Sequence, residues 1–338
     1  MSEFGMRGLR RLVAVALVAS GALMATGADA AEKMRIRVAT QYAKGHPALT
    51  ALNQFKERVE SATGKRIAIN IFPANQLGDY TQVYEELRRG TIDMGLISVP
   101  SQFDPRLEVT YVHYLASTYP EARKIYAPGS YLWKTVEKLH GDLGVKFLGL
   151  NVEGFGGLGL TKKPDNLTDP TAPKNILLRV PPMDVFKLTA DEEGFRTVTV
   201  PFAELYTALQ TGVADGWSGG PPVVNYLQFR DVIKYFLVNN NFFENTAYLM
   251  SGKVWDKLSA EDRTVIQNAV NDLAAASFDV AQKADEENLK KMSDAGIEVI
   301  RLNENQLKSW ATQSREKTWP KLADRLSAEL INGLRAQY

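Results

Sequence analysis

The chain has 338 residues, 40 Lys+Arg against 39 Asp+Glu, and no cysteine. That length is enough for about two domains, and the balanced charge leaves no electrostatic footprint for nucleic acid. The missing thiols exclude disulfide scaffolds, thiolate metal sites and Cys nucleophiles.

The N-terminus carries an export signal. Arg7, Arg10 and Arg11 precede an apolar run from Leu12 to about Leu23, and Ala28-Asp29-Ala30 supplies the small-residue cleavage site of a signal peptide. The run is shorter than the roughly 20 residues that span a bilayer. Residues 1–30 are therefore expected to be removed, Met1–Gly5 adding nothing to the fold, and the product to be periplasmic. Arg10-Arg11 lacks the rest of a twin-arginine motif, which favours the general export route. Cleavage takes away those three arginines together with Glu3 and Asp29, so the mature chain is formally neutral.

Strand-like and helix-like segments then alternate. Met34–Thr40 is a predicted strand. Pro47–Thr63 is a predicted helix with Leu49, Leu52, Phe55, Val59 and Ala62 on one stripe, begun by Pro47 and stopped at Gly64. A strand over Arg66–Phe72, a helix over Thr81–Arg89 with Val83, Tyr84 and Leu87 inward, and a buried strand over Asp93–Val99 follow. This βαβ order predicts a mainly parallel sheet covered by helices. Further along, a helix is expected over Pro120–Leu139, strands at Val145–Leu150, Leu178–Val180 and Thr197–Val200, and a helix at Phe202–Thr211 ended by Gly212. Ser259–Ala295 keeps helical spacing through Ile266, Val270, Leu273, Val280 and Ala284.

Two enzyme motifs fail on context. Gly154-Phe155-Gly156-Gly157-Leu158-Gly159 fits a dinucleotide loop, but the third glycine should open a helix, and Pro164 follows too soon. Gly216-Trp217-Ser218-Gly219-Gly220 fits a nucleophile elbow, yet Pro221-Pro222 oppose an immediate helix, and His46, His113 and His140 all precede Ser218. Those three histidines show no metal-ligand spacing, so neither an enzyme nor a metal or other cofactor is implied.

Five ordered motifs carry a resemblance. They are Gly45-His46-Pro47; Ile71-Phe72-Pro73-Ala74-Asn75-Gln76-Leu77-Gly78; Leu87 to Met94 (LRRGTIDM); Leu178-Arg179-Val180-Pro181; and Pro201 to Gly216 (PFAELYTALQTGVADG). Together they make the chain similar to the solute-binding proteins of TRAP transporters, the DctP-like family. The resemblance implies a two-lobed α/β fold of the type II periplasmic binding class, with a long C-terminal helix spanning both lobes. It implies lobe I over 32–156 plus 246–285 and lobe II over 157–245 plus 286–330. It also implies a monomer that captures a small organic acid and delivers it to TRAP membrane subunits. An ABC-importer or sensory binding protein for a small organic anion is the competing assignment, distinguished by whether the neighbouring genes encode a membrane-subunit pair or an ATPase.

The same resemblance assigns Arg179 to the ligand carboxylate, which suits a guanidinium: its planar fork meets a carboxylate with two hydrogen bonds and stays charged at neutral pH. From the residues alone, a surface arginine pairing with Asp184 or Glu204 is equally compatible. Gln76 and Asp79 follow a strand, where sheet ends offer ligand contacts, although ordinary turn chemistry also explains them. Phe202 and Trp217 are cleft walls or core, and Tyr42, His46, Ser98 and Gly219 complete the expected lining. Many relatives carry a second arginine where Gly157 aligns, and an asparagine in a DGQENP segment where this chain has Asp215-Gly216-Trp217-Ser218-Gly219-Gly220-Pro221-Pro222. These departures predict space at Gly157 and a preference for a bulky or aromatic monocarboxylate over short dicarboxylates.

Overall fold

The computed structural model describes residues 33–337, so the signal-peptide expectation for residues 1–30 lies outside the described residues. Two sheets organise the chain. The first has the order β2-β1-β3-β10-β4, built from β1 (Met34–Thr40), β2 (Ile67–Phe72), β3 (Met94–Ile97), β4 (Val145–Phe155) and β10 (Phe243–Ser251). The second has the order β11-β9-β5-β8-β6-β7, from β5 (Leu158–Leu160), β6 (Leu177–Val180), β7 (Arg196–Thr199), β8 (Gly216–Ser218), β9 (Tyr235–Val238) and β11 (Glu298–Arg301). In the first sheet β1 pairs parallel with β2 and β3, while β10 runs antiparallel between β3 and β4. In the second, β5 is the antiparallel member between β8 and β9.

The chain changes sheets between Phe155 and Leu158, and again between Val238 and Phe243, so β10 starts three residues ahead of the lobe boundary expected at 246. The helices before the first crossing are α1 (Pro47–Ala62), α2 (Tyr80–Arg89), α3 (Tyr119–Ile125) and α4 (Tyr131–Asp142). The single helix expected over Pro120–Leu139 is two, because Pro128 and Gly129, the latter at φ +78°, break it and Ser130 caps the second part. The second sheet carries α5 (Asp184–Glu192), α6 (Leu205–Thr211) and a short α7 (Pro222–Val224), followed later by α8 (Gly252–Trp255). α7 does begin directly after the Gly219-Gly220 turn, since proline at a first helical position lacks only an N–H that would be unpaired anyway.

The third crossing is α9 (Ala260–Asp294), a 35-residue helix about 52 Å long at 1.5 Å per residue. Ser259 caps it by accepting from the Asp262 N–H at 3.0 Å. Its first half places Ile266, Val270 and Leu273 in the core under β1–β3, with Leu52, Phe55 and Val59 of α1. Its last turns place Leu289 and Met292 in the core of the second sheet with Trp217, Phe229 and Phe236. One helix therefore joins both lobes, as expected. Its buried stripe runs through Ser277, Phe278 and Ala281; Val280, expected inward, falls off that stripe and is 47% exposed.

The C-terminal helices α10 (Glu304–Gln313), α11 (Trp319–Leu326) and α12 (Ala328–Arg335) hold both lobes. Trp319 donates to the His113 carbonyl at 2.9 Å, while Arg325 pairs with Asp184 on α5. The segment expected to belong to lobe II thus also fastens the connections of the first sheet. Among the described residues, no helix is long and apolar enough to cross a membrane.

Candidate functional site

The ends of strands from both sheets converge on one cavity, enclosing about 790 Å³ of empty space that is partly open to solvent. Tyr42, Asn75, Asp79, Ser98 and Glu153 come from the first sheet, and Arg179, Phe202, Trp217 and Gly219 from the second. This is where open α/β sheets place ligands, beyond the carboxyl ends of their strands.

Arg179 sits inside β6 opposite Val198 and Trp217, flanked by the apolar Leu178 and Val180, and is 3% exposed. Its Nε donates to the Val200 carbonyl at 2.8 Å. Among the described residues its terminal nitrogens have no hydrogen-bond acceptor, and no carboxylate pairs with it: Asp184 is taken by Arg325, and Glu204 is exposed. Burial pulls the guanidinium down to about 10, still cationic at neutral pH. Among the described residues it is the one Lys or Arg in the cavity lining.

Trp217 is held by its surroundings. Its Nε1 donates to Asn225 Oδ1 at 3.0 Å, and Asn225 Nδ2 returns to the Gly220 and Pro221 carbonyls at 3.1 Å. Gly220, at φ +76°, lies so close that a Cβ there would stand 2.4 Å from the indole. The glycine pair thus clamps the ring instead of adding flexibility. Phe202 is half-buried, 6.3 Å from Trp217 between ring centroids, and serves as cavity wall and core margin together.

On the first-sheet side, Asp79 caps α2 through the Thr81 N–H at 3.1 Å while also facing the cavity. Ser98 is fixed by Gln41, which donates to its hydroxyl and accepts from its N–H, both at 3.0 Å. The turn after β2 carries Asn75 at φ +60°, pinned by its N–H to the Thr40 carbonyl at 3.1 Å. That pinning points Asn75 inward and leaves Gln76 exposed, outside the cavity lining.

His46 is also outside this cavity. It caps α1 by accepting from the Ala48 N–H at 3.2 Å and stacks on Tyr42 at 4.2 Å. Burial pulls it down to about 3, so the ring is neutral, and it faces a second cavity between α1 and α9. Gly157 opens no space. A Cβ there would meet the Leu237 carbonyl at 2.5 Å and the Phe236 ring at 2.6 Å, so the position is closed by β9 and not by choice of a small ligand-facing side chain.

Sequence reasoning missed Tyr80, Tyr111, Glu153, Phe186, Gln228 and Glu244, which also line the cavity. A signal existed for two of them: Glu153 and Glu244 interrupt apolar runs, Leu148–Phe155 and Phe242–Met250, where burying an acid is costly without a reason.

Two α/β lobes joined by three crossings around a cavity with one buried arginine define a solute-binding protein. The chain belongs to the DctP family, bacterial extracellular solute-binding protein family 7, whose sequence profile matches residues 38–324. It is 26% identical over 343 residues to the C4-dicarboxylate-binding periplasmic protein DctP of Rhodobacter capsulatus, covering 97% of this chain and 98% of that one. Its fold is similar to that of a TRAP periplasmic solute-binding protein from Haemophilus influenzae with bound L-gulonate: TM-score 0.81, 24% identity, 90% of this chain and 100% of the other. A protein of the same kind from Desulfovibrio salexigens with bound orotic acid gives TM-score 0.81 at 22% identity, covering 90% and 99%. One from Sulfurospirillum deleyianum with bound succinate gives 0.79 at 20%, covering 91% and 100%.

Proposed function

We propose that this protein is the periplasmic capture subunit of a TRAP transporter, exported by cleavage after Ala30, and that it binds an organic monocarboxylate through Arg179. The observation that carries the reading is the guanidinium itself: buried, charged, and with terminal nitrogens that find no acceptor in the protein. Such a group is costly unless a ligand carboxylate completes it. The relatives that bind gulonate, orotic acid and succinate support an organic acid as ligand.

A single cationic side chain in the lining favours one carboxylate over two. Trp217 and Phe202, with Tyr42, Asp79, Ser98 and Gly219 around them, suit a bulky or partly apolar body such as an aromatic ring. The protein acts as a monomer by capture, not catalysis: the ligand stabilises the closed arrangement of the lobes by its higher affinity for that state. The closed form then delivers it to the membrane subunits. Calorimetric titration with succinate and an aromatic monoacid tests the preference. Binding of the aromatic acid alone is expected, and micromolar succinate binding without aromatic-acid binding refutes it.

A further inference from the structure

The wall opposite Arg179 carries two acids. β4 and β10 pair antiparallel with Glu244 opposite Gly154 and Asn245 opposite Val152, so Glu153 is the extra residue of a β-bulge. Bulges re-aim side chains beside functional sites, and this one sets Glu153 next to Glu244 on the cavity surface. Glu153 is 7% exposed. No Lys or Arg among the described residues pairs with either, and Arg179 is beyond ion-pair distance of both. The Tyr42 hydroxyl donates to Glu153 Oε1, and the Asn245 N–H donates to Glu244 Oε1 at 3.1 Å. His46 Nε2 stands 3.6 Å from the other oxygen of Glu153, the Thr246 hydroxyl also faces that carboxylate, and the Gly220 N–H faces Glu244. A carboxylate offers about four acceptor sites, so each acid still keeps capacity beyond those donors.

The cavity therefore has a donor end, where the terminal nitrogens of Arg179 lack an acceptor, and an acceptor end. Resting on the reading of Arg179 above, we propose that Glu153 and Glu244 are specificity-determining residues: they accept hydrogen bonds from hydroxyl or amino groups at the ligand end remote from its carboxylate, and they reject a second carboxylate. A dicarboxylate would bring acceptors to acceptors, and such like-with-like placement is how sites exclude close analogues. Burial first, and repulsion from Glu244 second, push Glu153 well above the usual carboxylate range; burial also raises Glu244.

The test uses acids of one length that differ only at the far end: hexanoate, 6-hydroxyhexanoate, 6-aminohexanoate and adipate, titrated by calorimetry at pH 8 into the mature protein. The hydroxy or amino acid is expected to bind about tenfold or more tighter than adipate. In Glu153→Gln/Glu244→Gln, and more weakly in Glu244→Gln alone, the amide nitrogens turn donors toward the ligand and adipate should gain about tenfold. Adipate binding as tightly as the hydroxy and amino acids to the unaltered protein, no binding by any of the four, or a ranking that both variants leave unchanged overturns the proposal. Arg179→Ala separates this from failure of the carboxylate reading: acids that bind Arg179→Ala undiminished refute the role of Arg179, whereas Arg179-dependent binding indifferent to the glutamates refutes only the selection.

Discussion

Arg179→Met removes the charge and keeps most of the side-chain volume, and it should separate stability from binding. Burial takes this guanidinium from the ordinary arginine range down to about 10, and at about 1.4 kcal/mol per pKa unit the unliganded fold carries a cost of about 3 kcal/mol for holding it. The folded pKa lies below the unfolded one, so that cost is fully present at all pH values below about 10 and is relieved only above it. Methionine removes the cost but leaves the Val200 carbonyl without its 2.8 Å donor, a loss of about 1 kcal/mol. The variant should therefore unfold with about 2 kcal/mol more stability in urea at pH 7 when no ligand is bound. Binding goes the other way: a buried ligand carboxylate deprived of its partner loses about 3 kcal/mol or more, roughly 150-fold in Kd. Parallel urea unfolding and calorimetric titration read both quantities. Undiminished affinity, or a variant less stable than the parent without ligand, would refute the reasoning.

Asp285 makes stability depend on pH in the opposite sense to an ordinary salt-bridged acid. Burial pushes it up to about 7 although the Tyr119 hydroxyl and the Phe155 N–H donate to Oδ2 at 2.6 and 3.0 Å. A raised folded pKa gives stability that is present below about 4 and lost as pH rises through 7; Asp285→Asn, which keeps an acceptor for both donors, should show little change at pH 4 and a gain of up to about 4 kcal/mol at pH 8 in urea unfolding. Ser259→Ala removes the cap of α9 and should cost about 1 kcal/mol by the same measurement. Gly220→Ala forces a Cβ to within 2.4 Å of Trp217 at a φ of +76°, so its thermal midpoint should drop and its ligand affinity weaken together. Mass spectrometry of the exported protein should find Ala31 as its first residue; a longer mature chain refutes cleavage at that site.

Apolar patterning is legible in a sequence, and here it marked β1, α1, β2, α2 and β3 to within a few residues at their ends, as well as the full span of α9; β3, buried on both faces, was still marked because it is a short apolar run bounded by Asp93 and Pro100. In the three helices, apolar spacing and a cap or glycine stop coincide: Leu52, Phe55 and Val59 in α1, Asp79 before α2, Ser259 before α9. β10 left no such mark, because Phe243–Ser251 is covered on both faces and shows no alternation. β5 and β8, three residues each, are too short for any period to emerge.

Arg179 was singled out by the resemblance that the ordered motifs carry; from the residues alone, a surface arginine was equally compatible. What surrounds it was decided only by the tertiary structure. The indole of Trp217 is fixed by Asn225 from the next helical turn, and Gly157 is closed by Leu237 from β9. Glu153 reaches the cavity because β10, 90 residues later in the chain, pairs with β4 out of register by one. Spacing along a chain determines which faces are apolar; which side chains then meet across a cavity depends on strand pairing and crossovers that bring distant segments together, and no local period encodes that.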